Sequence, residues 1–222
     1  MEIGEVFDEI QEAYTEKMIR WVPHYLQLIE KLSSSFIPGW EAVRILDLGS
    51  GNGNITATLL PKFASAGFTL VDASDKMLDE ARQRFSGLNF TYERALIQEA
   101  DFPPDYFDLI VASFSLHHLK TNEKKSAMEN IFRWLNPGGY FAYADLFINK
   151  TDRDHAKFVR SWQRFVIKHS DEADWNYLFN HYNQYDHPDN LSTQLQWLQE
   201  LNFTEIQVDV LENYWSYIRA RK

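Results

Sequence analysis

The chain has 222 residues, 45 % of them hydrophobic and 15 % aromatic, ample material for one domain with one core. Its 22 basic and 32 acidic residues give a net charge of −10, a balance that repels phosphate backbones and argues against a nucleic-acid partner. Cysteine is absent, which excludes disulfides, thiolate nucleophiles and thiolate-held metals.

The opening Met1-Glu2-Ile3-Gly4-Glu5 lacks the basic-then-apolar order of a secretory signal, and no apolar run approaches the ~18–20 residues that span a bilayer. A cytoplasmic location with no membrane association is expected. Val6, Ile10, Tyr14 and Met18 recur at helical spacing, and Tyr25, Leu26, Leu28, Ile29 and Leu32 predict a second helix that Pro23 starts or kinks. Ser33-Ser34-Ser35 and Pro38-Gly39 close this 1–40 segment. From Val43 the chain alternates strands with helices. The expected strands are Val43 to Leu48, Gly67 to Asp72, Leu88 to Glu93, Phe107 to Ala112 and Tyr140 to Phe147. The helices between them are Asn54 to Phe63, Asp75 to Phe85 and Thr121 to Leu135, the last closed by Asn136-Pro137-Gly138-Gly139. That rhythm predicts a parallel sheet covered on both faces. Residues 149–190 break it with a polar, aromatic-rich helical stretch holding Trp162, Phe165, Trp175, Tyr177, Tyr182 and Tyr185. A helix from Leu191 to Leu201 then leads to an antiparallel pair, Phe203 to Val210 and Asn213 to Arg219.

The strongest local signal is Ile45-Leu46-Asp47-Leu48-Gly49-Ser50-Gly51-Asn52-Gly53-Asn54, a strand delivered through a glycine turn onto a helix. A dinucleotide fingerprint requires a third glycine three residues after the second; that position holds Asn54 or Thr56, which disfavours a pyrophosphate cradle. Asp72 ends the second strand about 20 residues later, where an acidic residue meets a ribose. Its two acceptor oxygens suit both ribose hydroxyls. The alternative role is capping of the next helix, which Ser74 or Asp75 can do instead. After the fourth strand come Ala112-Ser113-Phe114-Ser115-Leu116-His117-His118-Leu119, at the carboxyl edge where ligands of open α/β sheets sit.

The acidic residue two before the first glycine, with glycines at alternate positions, resembles motif I of class I methyltransferases. Ala73-Ser74-Asp75-Lys76-Met77-Leu78 is similar to the family's next motif, in which an apolar side chain near Met77 flanks the adenine. Phe107-Asp108-Leu109-Ile110 through His117-His118-Leu119, with Leu135-Asn136-Pro137-Gly138-Gly139, is similar to small-molecule methyltransferases of the class. The resemblance implies an α/β, Rossmann-like, seven-stranded mixed sheet with helices on both faces. It also implies a single domain over 1–222, with an N-terminal helical cover (1–40) and a helical insertion after strand five (149–190). The implied cofactor is S-adenosyl-L-methionine, and the implied reaction is methyl transfer to an O, N or C atom of a small-molecule acceptor. Expected cofactor contacts are Asp47, Gly49, Ser50, Gly51, Asn52, Gly53, Asp72, Ala73, Ser74, Met77 and Ser113. One departure stands out: Leu96 occupies the position of the family's adenine-binding acid. That leaves the backbone of Leu96 and Ile97 to read adenine, with Gln98 or Glu99 assisting.

Phe7-Asp8-Glu9, Trp21-Val22-Pro23-His24-Tyr25, Leu135-Asn136-Pro137 and Leu201-Asn202-Phe203 are similar to carboxy-S-adenosylmethionine synthase-like enzymes, which implies that Tyr25 closes over the methionine end of the cofactor. In that family an arginine pairs with the extra carboxylate of the product. Here Trp197 stands at its position, with Gln194, Gln196 and Gln199 nearby, so the ordinary cofactor is the expected ligand. Carboxylated-cofactor synthesis and non-catalytic cofactor binding are the alternative readings. Methyl transfer from a sulfonium relies mainly on positioning and water exclusion. His117 and His118 are the candidate bases if the acceptor is a hydroxyl, with packing as their plain alternative. His155, His169, His181 and His187 fit no ligand spacing, so no metal is expected. The aromatic residues of the insertion are expected to form a lid and acceptor pocket, against a satellite core or homodimer contact.

Overall fold

The computed structural model describes residues 4–5, 13–212 and 214–222. Val6, Ile10 and the Phe7-Asp8-Glu9 motif lie outside them. In chain order the elements are α1 (Tyr14–Trp21), α2 (Tyr25–Ser34), β1 (Arg44–Leu48), α3 (Asn54–Leu59), β2 (Gly67–Asp72), α4 (Asp75–Arg84), β3 (Thr91–Arg94) and β4 (Phe107–Ser113). A 3-10 turn (Leu116–His118) follows, then α5 (Thr121–Trp134), β5 (Leu135–Leu146), α6 (His155–His169), α7 (Glu172–Tyr185), α8 (Leu191–Glu200), β6 (Thr204–Glu212) and β7 (Trp215–Arg221).

The seven strands form one sheet in the order β3-β2-β1-β4-β5-β7-β6, with β7 antiparallel to both of its neighbours. Chain order reverses between β1 and β4, and such a switch point opens a crevice beyond the strand ends. Leu109, Ile110 and Val111 of β4 are all fully buried, because helices cover both faces and a central strand needs a continuous apolar run. On β5 the faces alternate: Tyr140, Ala142 and Ala144 join the core under α2 and α6, while Phe141 and Tyr143 join the core under α5 and α8.

Several boundaries differ from expectation. Helix α3 stops at Leu59 rather than Phe63, since Pro61 has no N–H to continue the ladder, and a turn from Leu59 O to Lys62 N takes over. Leu135-Asn136-Pro137-Gly138-Gly139, expected as a closing loop, is the irregular start of β5, paired to β4 across a register shift between Phe107 and Leu109. Gly139 is required there: a Cβ would lie 2.8 Å from Asp108 O.

The N-terminal helices and the insertion are stapled together. Trp162 Nε1 donates to Trp21 O at 2.8 Å, and Trp21 Nε1 donates to Asp174 Oδ2 at 2.9 Å. Phe158, Trp175 and Tyr182 pack with Trp215 into the same core, so the insertion supplies structural packing as well as a cavity wall. No helix of the described residues is long and apolar enough to cross a membrane.

Candidate functional site

A cleft of about 660 Å³ opens at the β1–β4 switch point. It is lined by Gly49, Gly51, Asp72, Ala73, Met77, Leu96, Ile97, Gln98, Ser113, Ser115, Tyr14, Phe114 and His118, among others. A second chamber of about 620 Å³ adjoins it, walled by Met18, Trp21, Leu146, Trp162, Tyr177 and Trp215, with His117, His181 and Asp186. Tyr14, Phe114 and His118 line both.

The glycine turn is built by close approach. Gly49 has φ +67°, and a Cβ there would lie 2.3 Å from Ser115 Cβ. Its N–H and that of Ser50 are donated to Val71 O, which ties the turn to β2. Gly51, at φ +53°, faces the cleft between Tyr14 and Met77. Gly53, at φ +80°, turns inward, where a Cβ would strike Phe85. Asp72 Oδ2 accepts the Gly51 N–H at 2.7 Å and Oδ1 accepts the Ser74 N–H at 2.9 Å, so the carboxylate braces the loop from which it faces the cleft. A carboxylate has about four acceptor positions, which leaves capacity for hydroxyls of a bound ligand. The capping role falls to Ser74, whose side chain accepts the Met77 N–H at 3.1 Å. Gly4 sits so close to Ala73 that a Cβ would be 2.5 Å from its carbonyl oxygen, which places Gly4 against this rim.

Not every expected contact faces the cleft. Tyr25 is buried, with its hydroxyl accepting from Asn54 Nδ2 at 2.9 Å and its ring against Phe114. The tyrosine at the cleft is Tyr14, whose hydroxyl burial holds well above the ordinary phenol range. Asp47 is fully buried behind the turn, its Oδ2 accepting from Thr56 Oγ1 at 2.6 Å. Burial pushes its carboxyl up to about 7. Ser50 is buried in the turn, Asn52 Nδ2 points to Glu80 at 3.3 Å, and neither Gly53 nor Ser74 lines the cleft. The Leu96 carbonyl accepts from Glu99 N and Ala100 N, so Gln98 supplies the polar side chain on that wall and Glu99 does not.

The two histidines differ sharply. His117 Nδ1 is bonded to Asp145, whose second oxygen accepts the His117 N–H at 3.1 Å. Burial opposes charging His117, but Asp145 and Asp186 outweigh it and raise its pKa. Burial and the neighbouring His117 push His118 down to about 4, although Asp186 Oδ1 lies 3.0 Å from its Nδ1. The same imidazoles hold the Asp186 carboxyl well below its usual range despite burial.

Tyr14, Asp145 and Asp186 were not legible as site residues, whereas Phe114 was placed at the ligand edge only by its position after β4 and His181 was weighed as a metal ligand and set aside on spacing. Phe114 carries a structural signal, a φ of +54° for a bulky residue directly after β4, strain of a kind that clusters at functional sites. Trp197 lies in the opposite core with Leu198 and Phe203, away from both cavities, and Gln194 accepts from Tyr143 there.

Residues 45–139 match the methyltransferase domain family. The ubiquinone/menaquinone biosynthesis C-methyltransferase UbiE of Vibrio vulnificus is 39 % identical over 101 residues, 43 % of this chain and 38 % of that protein, so the chain spans well under half of such relatives. A Mesorhizobium loti S-adenosylmethionine-dependent methyltransferase superposes with a TM-score of 0.65 over 90 % of this chain and 99 % of its own, at 19 % identity. A possible histamine N-methyltransferase of Thermotoga maritima gives 0.66 over all of both chains at 14 % identity. At such identities the likeness concerns the fold, while the sequence match concerns the stretch from β1 to the start of β5. Through that stretch the chain is similar in sequence to the methyltransferase domain family, and its fold is that of S-adenosylmethionine-dependent methyltransferases of known structure.

Proposed function

We propose that this chain transfers a methyl group from S-adenosylmethionine to an O, N or C atom of a small, apolar acceptor. One observation carries the reading: Tyr14, Phe114 and His118 are a shared wall between a polar-ended cleft suited to the donor and an aromatic chamber suited to an acceptor. The lining fits the cofactor. Asp72 and Ala73 would hold the ribose, Met77, Leu96 and Ile97 the adenine, and Gly49, Gly51 and Ser113 the remainder. Bound there, the cofactor supplies an electrophilic methyl group on a sulfonium.

The chain's own contribution is placement and exclusion of water. Trp21, Trp162, Tyr177 and Trp215 present apolar faces against which a planar acceptor stacks. The matched relatives are named C-methyltransferases, and an apolar chamber is compatible with a carbon acceptor. His117, engaged with Asp145, is a positioning residue. His118 faces the junction but, at about 4, is too weak a base for the reaction to depend on it.

Among the described residues no Arg or Lys lines either cavity. The extra carboxylate of a carboxylated cofactor would meet no Arg or Lys side chain, a loss on the order of 3–5 kcal/mol in a closed site. Calorimetry tests the reading: the ordinary cofactor should bind at least as tightly as its carboxylated form. Asp72→Ala should weaken binding by about ten- to a hundredfold, through lost charged hydrogen bonds of roughly 1.5–3 kcal/mol. Unchanged affinity in a folded variant, or no S-adenosylhomocysteine released with any of a panel of planar acceptors, would overturn the assignment or the activity respectively.

A further inference from the structure

We propose that the chamber holds a binding site for one divalent transition-metal ion of the zinc type, formed by His117, His118 and Asp186 with His181 in reach. The residues come from two distant segments. His117 and His118 form the 3-10 turn after β4, Asp186 follows the last residue of α7, and His181 lies in that helix. The segments are clamped together, since His187 N donates to His117 O at 2.6 Å.

The geometry is that of a ligand set. One ligand atom from each of His117, His118 and Asp186 lies within 4.8 Å of the others. Around the Asp186 carboxylate, His118 Nδ1 stands at 3.0 Å, His181 Nε2 at 3.4 Å and His117 Nε2 at 3.8 Å. Metal–ligand bonds of about 2.0–2.2 Å in tetrahedral array place neighbouring ligand atoms about 3.3–3.6 Å apart. Small rotations of these side chains therefore complete the array.

The surroundings fit as well. His117 Nδ1 is committed to Asp145, which leaves Nε2 aimed at Asp186. A carboxylate on the far nitrogen is the usual means of orienting a metal-binding imidazole. Asp145 and Asp186 are both buried and together carry the charge that a dication neutralises. Lys124, the nearby cation, is itself bound to Asp189 at 2.8 Å and to His187 O. Imidazole with carboxylate, and no thiolate, selects zinc or a neighbouring transition ion over magnesium or calcium. All four side chains line the chamber, so a coordination position faces its interior.

The test needs no turnover. Chelator-treated protein is titrated with Zn²⁺ against a chromogenic competitor, and with Co²⁺ while visible absorption is recorded. The expected result is one ion per chain, with cobalt bands of a four- or five-coordinate nitrogen–oxygen site. Asp186→Asn and His118→Gln should each weaken binding at least tenfold, and Asp145→Asn by about 10- to 100-fold. His24→Ala, at a remote exposed position, should leave binding unchanged. Absence of a stoichiometric ion or of the cobalt bands in the native chain overturns the proposal. So does equal affinity in a folded His118→Gln/Asp186→Asn double variant. If the variants do not fold, the spectrum and stoichiometry of the native chain decide it.

Discussion

Asp47→Asn should remove a pH-dependent weakness from the core. The Asp47 side chain is wholly buried, Thr56 Oγ1 reaches Oδ2, and Oδ1 has no hydrogen-bond partner among the described residues. Burial first, and the charge of Asp72 further, lift its carboxyl from 3.8 to about 7. The folded protein thus keeps this proton to higher pH than the unfolded chain does. Between pH 3.8 and about 7 the unfolded state binds fewer protons, so this residue's contribution to stability is full below that window and lost as pH rises through it. A shift of about three units at 1.36 kcal/mol each amounts to up to about 4 kcal/mol. For a chain of this length that corresponds to about 8–16 °C in melting temperature. Asparagine keeps the size and an acceptor for Thr56 but carries no charge. Urea unfolding of both proteins from pH 4 to pH 8 isolates the effect, because other carboxylates cancel in the difference. The variant should gain on the wild type by several kcal/mol across the series. A difference constant to within about 1 kcal/mol would refute a raised Asp47.

Gly49→Ala should destabilise the fold by about 1–3 kcal/mol, because a Cβ would lie 2.3 Å from Ser115 Cβ at a positive φ; urea unfolding indistinguishable from wild type would contradict the tight turn. Lys124→Met removes a fully buried ammonium and leaves Asp189 the hydroxyl of Thr121 as its side-chain partner among the described residues. The expected cost is about 3–5 kcal/mol, partly restored by a second change, Asp189→Leu, and the same assay checks both. Amide exchange over residues 14–25 should slow when S-adenosylmethionine is added, since Tyr14 borders both cavities; protection already complete without ligand would make this a fixed layer rather than a cover.

Local signals determined much of this protein. The apolar run Leu109-Ile110-Val111 marked a strand buried on both faces, and the rhythm of strands and helices marked a parallel sheet covered by helices, while the full seven-stranded mixed sheet was implied by the family resemblance. Gly49, Gly51 and Asp72 were legible because a strand end, a positive φ and a carboxylate at a fixed interval are properties of short segments. Tertiary structure alone decided the rest. Tyr14 and Tyr25 both sit on apolar helical faces, and only packing against Asn54 and Phe114 turns Tyr25 away from the cleft while Tyr14 borders it. Either Asp72 or Ser74 is a competent cap by residue type, and the observed bond from Met77 N to Ser74 settles which one serves. The pairing of His117 and His118 with Asp145 and Asp186 had no local signal, since the partners lie on β5 and beyond α7. Periodicity reports which face of an element is buried. It does not report which distant segment will meet that face, and the opposite protonation tendencies of these two adjacent histidines arise from that meeting.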